Sequence, residues 1–536
     1  MKKAVGYILS IILVINFICL STIQPVSAAT PEDYTVRIGL VSTYGDKSSI
    51  TIKNSSVKMG YEVNGQFVEN MTLNSGNGFT FVPDNSYCYG SLTIYDSYAS
   101  AQNAMSQLKQ GSEYLAVAVQ GNGAYRIYIS ADSATTAASL ATALESTGKI
   151  KFEAVTNEAK YRMKMTWLDG SLIIDVDGAG LYPQFMAATT NDAGVFVLDL
   201  GERQYRGRME VGRFGGSTNL TAVSVVNMED YLYGVIACEM VSSWEMEALK
   251  TQAVCARSYA YALDKRNAQF GAEFGYALYD TTKSQVYKGY GYETERTNNA
   301  VDATKGLMIY YRENVVKAYF YSTSGGHTAN CEDVWNVPLT YFRGVPDNTE
   351  LHQEKKPWIV SKTTTELASD LSADGYNVGA VSSLVAQIRT ESGRIYQLKV
   401  NGSSGSALLM KEEISSAFSL PSTKVKIIKY GDVPDRVVVQ GYDGSVEKQI
   451  STSYIISGNG NIAQADQTLE QYIVISEDNL TNFPKAAPTD ANTVYFAGMG
   501  YGHGVGMSQS GAQSLALQGY DFEYIIHHYY NKVDVR

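Results

Sequence analysis

Apolar and polar positions alternate with a period of two along TVRIGLVS (35–42) and SSITIKNSSVKMGYEV (48–63), which predicts strands. The same signal returns at SLIIDV (171–176), GVFVLDL (194–200), RMEV (208–211) and LTAVSVV (220–226). Between these two runs the character changes. LTIYDSYASAQNAMSQLKQ (92–110) reads as a strand and then a helix. AVAVQGNGAYRIYIS (116–130) reads as two strands around an Asn-Gly turn, and ADSATTAASLATALEST (131–147) as a second helix. The helical halves echo each other, which describes a duplicated α+β unit with helices on a sheet of about four strands.

From 228 the period lengthens. Helices are predicted over 228–240, 245–263 and 363–371. A hairpin, GLMIYYRENVVKAYFYSTS, turns at Glu313-Asn314. Residues 384–480 are strand-rich, with turns at NGSSGS and SGNGN. A glycine-rich loop, GMGYGHGVGM (498–507), leads into helices from Ser508 to Gln518 and over 521–530. The fold class is therefore α+β: a strand-rich core with a few helices, plus a small α+β module.

One helix carries an anomaly. Asn227 can cap it, and Glu229 and Asp230 suit its first turn. Met228, Leu232, Val235 and Glu239 then fall on one stripe, so the carboxylate of Glu239 faces the core. A buried, unpaired carboxylate holds its proton more tightly, as a general acid must near neutral pH. The next helix, capped at Ser242 or Ser243, lines one side with Ala248, Leu249, Ala253, Ala256, Ala260 and Leu263. Gln252 and Arg257 break that side. Two readings follow. Either Glu239 and Arg257 form a buried pair that silences the acid, or Arg257 lies elsewhere and Glu239 is free to act.

Composition narrows the setting. Lys2, Lys3, the apolar run 8–20 and the small residues Val26-Ser27-Ala28 have the layout of a secretory signal peptide over 1–29. The apolar run has 13 residues, short of the roughly 20 that a spanning helix needs. Left uncleaved, it would anchor the chain to a membrane. Cleavage removes two lysines and no acid, moving the formal charge from −11 to −13, which disfavours nucleic acid as a partner. The remaining cysteines, Cys88, Cys238, Cys255 and Cys331, are widely scattered. They read as free buried thiols rather than a disulfide framework. Tyr95, Tyr98, Tyr125 and Tyr128 of the small module either stack on sugar rings or sit half-buried in strands.

Six ordered blocks then carry a resemblance: YRGRMEV (205–211), EDYLYGVIACEM (229–240), ALKTQAVCARSYA (248–260), TTKSQVYKG (281–289), YFYSTSGGHTANCEDVW (319–335) and GHGVGMSQSGAQSLA (502–516). Together they resemble the sporulation stage II protein D family (SpoIID/LytB). On this reading residues 30–85 and 151–536 form the family core, and 425–490 is a local elaboration. Residues 86–150 resemble an inserted SPOR-type wall-binding module. The resemblance implies a lytic transglycosylase acting on peptidoglycan glycan strands stripped of their peptides by an amidase. Cleavage of the β-1,4 bond between N-acetylmuramic acid and N-acetylglucosamine would leave a 1,6-anhydro end.

The family's catalytic glutamate maps to Glu239, which would act as acid and then as base. Lys250, Gln252, Arg257, Tyr321, Ser322, Ser324, Trp335, His503, Ser508 and Gln509 are the residues implied to build the substrate groove. Each of them equally admits a structural role. Neither metal nor cofactor is expected. His327 and Cys331 are too few ligands for zinc, and the block in which some relatives carry zinc ligands here holds Lys283 and Ser284. The glycine-rich loop lacks the lysine of a phosphate-cradling loop. Cys255 and Cys331 lack the context of a nucleophile. The competing function is a non-catalytic wall-binding protein that enhances a cell-wall amidase.

Overall fold

The computed structural model describes residues 34–536 apart from 64, 109–111, 122, 156–160, 169, 177–181, 215, 268–274, 348–356, 433–435, 442–443, 450–453, 457–461, 465–470, 476–479 and 485. Side chains of 265–267 and 433–483 are likewise not described. The expected leader at 1–29 and the SGNGN turn lie outside the described residues.

Two large sheets face each other. The first runs in the order Leu278–Tyr279, Thr35–Gly39, Thr221–Asn227, Arg208–Gly212, Gln184–Ala187, Ser56–Val63, Gln66–Asn74. The second runs Ile50–Ile52, Phe79–Pro83, Met163–Trp167, Gly170–Asp175, Leu115–Gln120, Tyr125–Ala131, Tyr87–Ser91, Phe152–Ala154. Their inner faces meet where the Phe81 ring lies edge-on to Phe185 at 5.1 Å, both side chains fully buried. The alternation read from the sequence marks this core in Thr35–Gly39 and Ile50–Ile52, whereas Arg208–Gly212 and Thr221–Asn227 are buried almost throughout.

The module at 86–150 is a β-α-β-β-α-β unit whose four strands lie in the order Phe152–Ala154, Tyr87–Ser91, Tyr125–Ala131, Leu115–Gln120. Its helices are Tyr98–Ser106 and Ala134–Glu145, capped by Ser97 and Ser133. The strand before the first helix is Tyr87–Ser91, not the predicted 92–95. The unit is not a separate body. Leu115–Gln120 pairs in parallel with Gly170–Asp175, so the module continues the second sheet. Of its tyrosines, Tyr125 and Tyr128 are buried. Tyr98 packs between Tyr125 (6.5 Å) and Trp167 (5.9 Å).

A second hydrophobic core gathers residues from Trp358 to Phe496. It joins the sheet Trp358–Thr363, Thr493–Gly498, Val425–Lys429 to the meander Val381–Arg389, Ile395–Gly402, Gly405–Met410, with the helices Thr364–Ala373 and Glu412–Phe418. This unit begins well before the elaboration expected at 425–490.

The chain then returns to the main core. Met507–Ser508 pairs in parallel with Phe320–Tyr321, and Asp534–Val535 pairs with Ile309–Tyr311. Helices Gln509–Leu517 and Phe522–Tyr529 close the structure. Among the described residues no helix is long and apolar enough to cross a membrane. Truncating Phe185 to Ala removes the edge-on contact between the sheets. It should cost about 3–5 kcal/mol, measured as a lower midpoint in urea unfolding.

Candidate functional site

The helix Met228–Glu239 opens as expected, with the Asn227 side chain accepting from Glu229 N–H at 2.9 Å. Met228, Leu232, Val235 and Ile236 are buried, and Glu239 ends the helix. The next helix, Met246–Asn267, does not begin directly after the serine pair. Residues 241–244 turn first, with Trp244 N–H donating to Val241 O at 3.0 Å. That turn brings Val241 and Trp244 into the wall of a cavity.

Arg257 settles the choice posed by the sequence. Its Nε and Nη2 donate to the two carboxylate oxygens of Glu229, at 2.8 and 2.6 Å, and its Nη1 donates to Leu307 O at 3.0 Å. The guanidinium is fully buried and committed to Glu229. Glu239 has other neighbours. Val286 N–H donates to its Oε1 at 2.7 Å, and Gln509 Nε2 to its Oε2 at 3.4 Å. Burial raises its pKa above the ordinary glutamate value. The Val286 and Gln509 hydrogen bonds oppose that shift, and no cation contributes to it.

The Val286 amide is delivered by a loop that folds against the helix. Gly234 makes this possible, since a Cβ there would sit 2.6 Å from the Tyr287 ring. Tyr231 Oη donates to Gln285 Oε1 at 3.0 Å, and Gln285 Nε2 donates to Ala256 O at 3.2 Å. Loop and both helices are thereby locked together.

Glu239 lies in a cavity of about 510 Å³ lined also by Val241, Trp244, Thr282, Ser284, Phe320, Tyr321, Ser322, Tyr501, Gly502, His503, Gln509 and Ser510. The cavity thus brings together Glu239, Tyr321, Ser322, His503 and Gln509 of the residues named from sequence. Gln252 is buried behind it, accepting from Gln509 Nε2 at 3.3 Å, and so positions the amide that touches Glu239. Ser508 caps the helix Gln509–Leu517, accepting from Gly511 N–H at 3.1 Å.

The other named residues lie outside the lining. Ser324 accepts from Gly326 N–H at 2.9 Å and shapes the adjacent turn. Lys250 pairs with Glu247 at 2.7 Å. Trp335 packs against Tyr319 (4.4 Å) and His503 (4.9 Å) and props the glycine-rich loop from behind. In that loop Gly500, Gly502, Gly504 and Gly506 all have positive φ. A Cβ on Gly504 would sit 2.5 Å from Arg394 Nη2, so the second core's arginine buttresses the loop. The same glycines answer the phosphate reading: they fit the loop to the strand and arginine behind it.

His503 favours its neutral form. Burial, with Arg394 beside it, pushes its pKa down to about 3. Its Nδ1 accepts from Val505 N–H at 3.1 Å, which leaves the proton of the neutral ring on Nε2. Cys88, Cys238, Cys255 and Cys331 are free thiols. Sequence reasoning missed Val241, Trp244, Thr282, Phe320, Tyr501, Ser510 and the Val286 amide. The last is a backbone group and leaves no mark in the sequence.

Residues 216–311 match the Stage II sporulation protein family (SpoIID). This segment is thus similar to the SpoIID family. It holds Glu239, Gln252, Arg257 and the Val286 loop. Residues 329–444 match a domain of unknown function, DUF8618, which takes in Trp335 and Arg394. Among relatives, an uncharacterized protein of Brachyspira hyodysenteriae is 27% identical over 382 residues, covering 71% of this chain and 83% of that protein. Stage II sporulation protein D of Bacillus subtilis is 25% identical over 325 residues, covering 59% of this chain and 76% of its own length. The amidase enhancer of Bacillus subtilis is 30% identical over 306 residues, which is 56% of this chain but 39% of that protein. The chain therefore spans well under half of the enhancer's length.

The raised pKa of Glu239 fixes a sign for stability. Below the ordinary carboxylate pKa, folded and unfolded states are both protonated and nothing is lost. As pH rises through the folded value, the buried group ionises at a cost, and stability falls. Glu239→Gln does not titrate. Its melting temperature should therefore match the parent's near about pH 3.5 and exceed it near about pH 8, read by differential scanning calorimetry.

Proposed function

We propose that the chain is an exported peptidoglycan lytic transglycosylase with Glu239 as its single acid–base group. The SpoIID segment and the enhancer and sporulation relatives support a cell-wall-related role. The observation that carries the finer reading is Glu239 itself. It is a core-facing carboxylate with its proton favoured, and among the described residues it is the only acid that lines the cavity.

Ordinary glycoside hydrolysis asks for two carboxylates across the scissile bond, the second to activate water or to attack. One suffices when the nucleophile is internal. Protonated Glu239 donates to the leaving N-acetylglucosamine oxygen, and positive charge develops at the muramic anomeric carbon. Anionic Glu239 then takes the proton of that sugar's 6-hydroxyl, whose oxygen closes the 1,6-anhydro ring. The proton given in the first half returns in the second, and no water is consumed. Holding the hydroxyl against C1 gives the advantage of an intramolecular reaction. The Val286 amide and the Gln509 side chain steady the anion between the two halves. The neutral serine, threonine and aromatic walls suit an uncharged sugar ring.

The enhancer relative favours a second reading: a wall-binding protein that stimulates an amidase without cutting glycan itself. One digestion separates them. Purified protein on amidase-treated glycan strands should yield products ending in 1,6-anhydro-muramic acid by mass. Products heavier by one water would mean hydrolysis, and intact strands would favour the enhancer. Glu239→Gln should lower the rate by at least about 100-fold, as loss of a general acid does.

A further inference from the structure

Gln509 and Gln252 meet beside Glu239 in an arrangement that their neighbours do not fix. Gln509 Nε2 donates to Glu239 Oε2 at 3.4 Å and to Gln252 Oε1 at 3.3 Å. The Gln252 side chain is fully buried, yet its own Nε2 finds no acceptor among the described residues. A buried amide donor left unpaired is costly. Gln285 shows what anchors an amide. Tyr231 Oη donates to its oxygen and Ala256 O accepts from its nitrogen, so turning it would set two carbonyl oxygens face to face. Gln252 and Gln509 lack such an anchor. Each faces the other, and Gln509 also faces a carboxyl, which only accepts when ionised and can donate when protonated.

Half a turn of each amide about its last side-chain bond, a soft torsion, exchanges oxygen for nitrogen and moves no other heavy atom. Gln509 Oε1 then accepts from the Glu239 hydroxyl, and Gln252 Nε2 donates to that same oxygen. The unpaired donor is satisfied. Val286 N–H donates to Glu239 Oε1 in both arrangements, so the proton belongs on Oε2, the oxygen beside Gln509. Other ionisable neighbours stay out of this exchange. Burial raises the pKa of Tyr231, Tyr259 and Cys238, each of which senses the Glu239 charge. His503 is neutral, and Arg257 and Lys250 are paired with Glu229 and Glu247. Lys283 and Lys288 stand over the Tyr279 and Tyr292 rings, and the cavity wall adds the phenols of Tyr321 and Tyr501. We propose that Gln509 and Gln252 form an amide switch that turns with the protonation of Glu239, a step that rests on the acid–base reading above. One arrangement holds the proton on Glu239 Oε2 until the leaving oxygen takes it. The other steadies the anion until the 6-hydroxyl returns a proton. Gln252 does not line the cavity and acts through Gln509, so it is a positioning residue.

The test follows the glutamine side-chain amides of the full chain by NMR while pH is carried through the Glu239 midpoint. Either Gln252→Met or Gln252→Glu assigns the Gln252 signal, whichever folds. In a fixed arrangement the Gln252 amide protons have no acceptor at any pH. The switch predicts that they move downfield on acidification, with the midpoint of the Glu239 carboxyl, as they gain Gln509 Oε1. A scalar coupling across the hydrogen bond from Gln252 Nε2 to the Gln509 carboxamide carbon should appear on the acid side and vanish on the alkaline side. That coupling separates a turned amide from the mere field of a nearby charge. In Glu239→Gln, which cannot titrate, both changes should disappear. A Gln252 signal that stays flat, a coupling that is absent or unchanged across the midpoint, or a titration that survives in Glu239→Gln would overturn the switch. The measurement needs no substrate, so absence of anhydro product would count against the cleavage reading alone.

Discussion

Arg257 is buried where the two central helices pack, and it gives two of its nitrogens to Glu229. Breaking such a pair by removing one partner costs about 3–5 kcal/mol, because the other charge is left stranded. The arginine is therefore not free to turn toward a second carboxylate. Everything distinctive about Glu239 depends on that commitment. Had the guanidinium faced it, the carboxyl would be held ionised and useless as an acid. With the arginine taken, Glu239 meets only neutral donors, a backbone amide and a glutamine, and burial decides its protonation.

The site is assembled from distant parts of the chain around that one helix. The 281–289 loop supplies an amide, and Gly234 lets it approach closely enough to do so. The C-terminal return supplies Gln509 and the glycine-rich loop, brought alongside by the pairing of Met507–Ser508 with Phe320–Tyr321. The second core reaches the lining where Tyr501 packs against it, and its Arg394 packs against Gly504 and donates to Gly502 O at 3.3 Å. The SpoIID match covers the acid and its immediate supports but stops at residue 311. The opposite wall, at 320–322 and 501–510, lies beyond it.

Much of this could be read from hydrophobic period. The helix of Glu239, its Asn227 cap, the two C-terminal helices and most strands of the first sheet appear where alternation or the 3.6 repeat puts them. The pairing of Arg257 was harder, although loop length held a clue. Only six residues, 240–245, join the two helices. Counting outward from that connection sets Arg257 opposite the first turn of the preceding helix, where Glu229 lies. Ten residues from Glu229 to Glu239 amount to about 15 Å along the axis, beyond what one side chain bridges. Other features were closed to inspection. Tyr125 and Tyr128 are buried because the one strand that carries both, Tyr125–Ala131, sits inside an eight-stranded sheet, and strand order is a tertiary fact. The Val286 donor is backbone, and no residue type announces it.

The central claim is that burial makes Glu239 keep its proton above the ordinary carboxylate range, with no cation beside it to offset that burial. Site-resolved carbon NMR of the glutamate carboxyls, with Glu239→Gln to assign the signal, measures this without reference to substrate. The account predicts a midpoint for Glu239 clearly above the ordinary value of 4.5. A midpoint at or below that value would mean that the carboxylate is stabilised as an anion, and Glu239 would not be the acid described here.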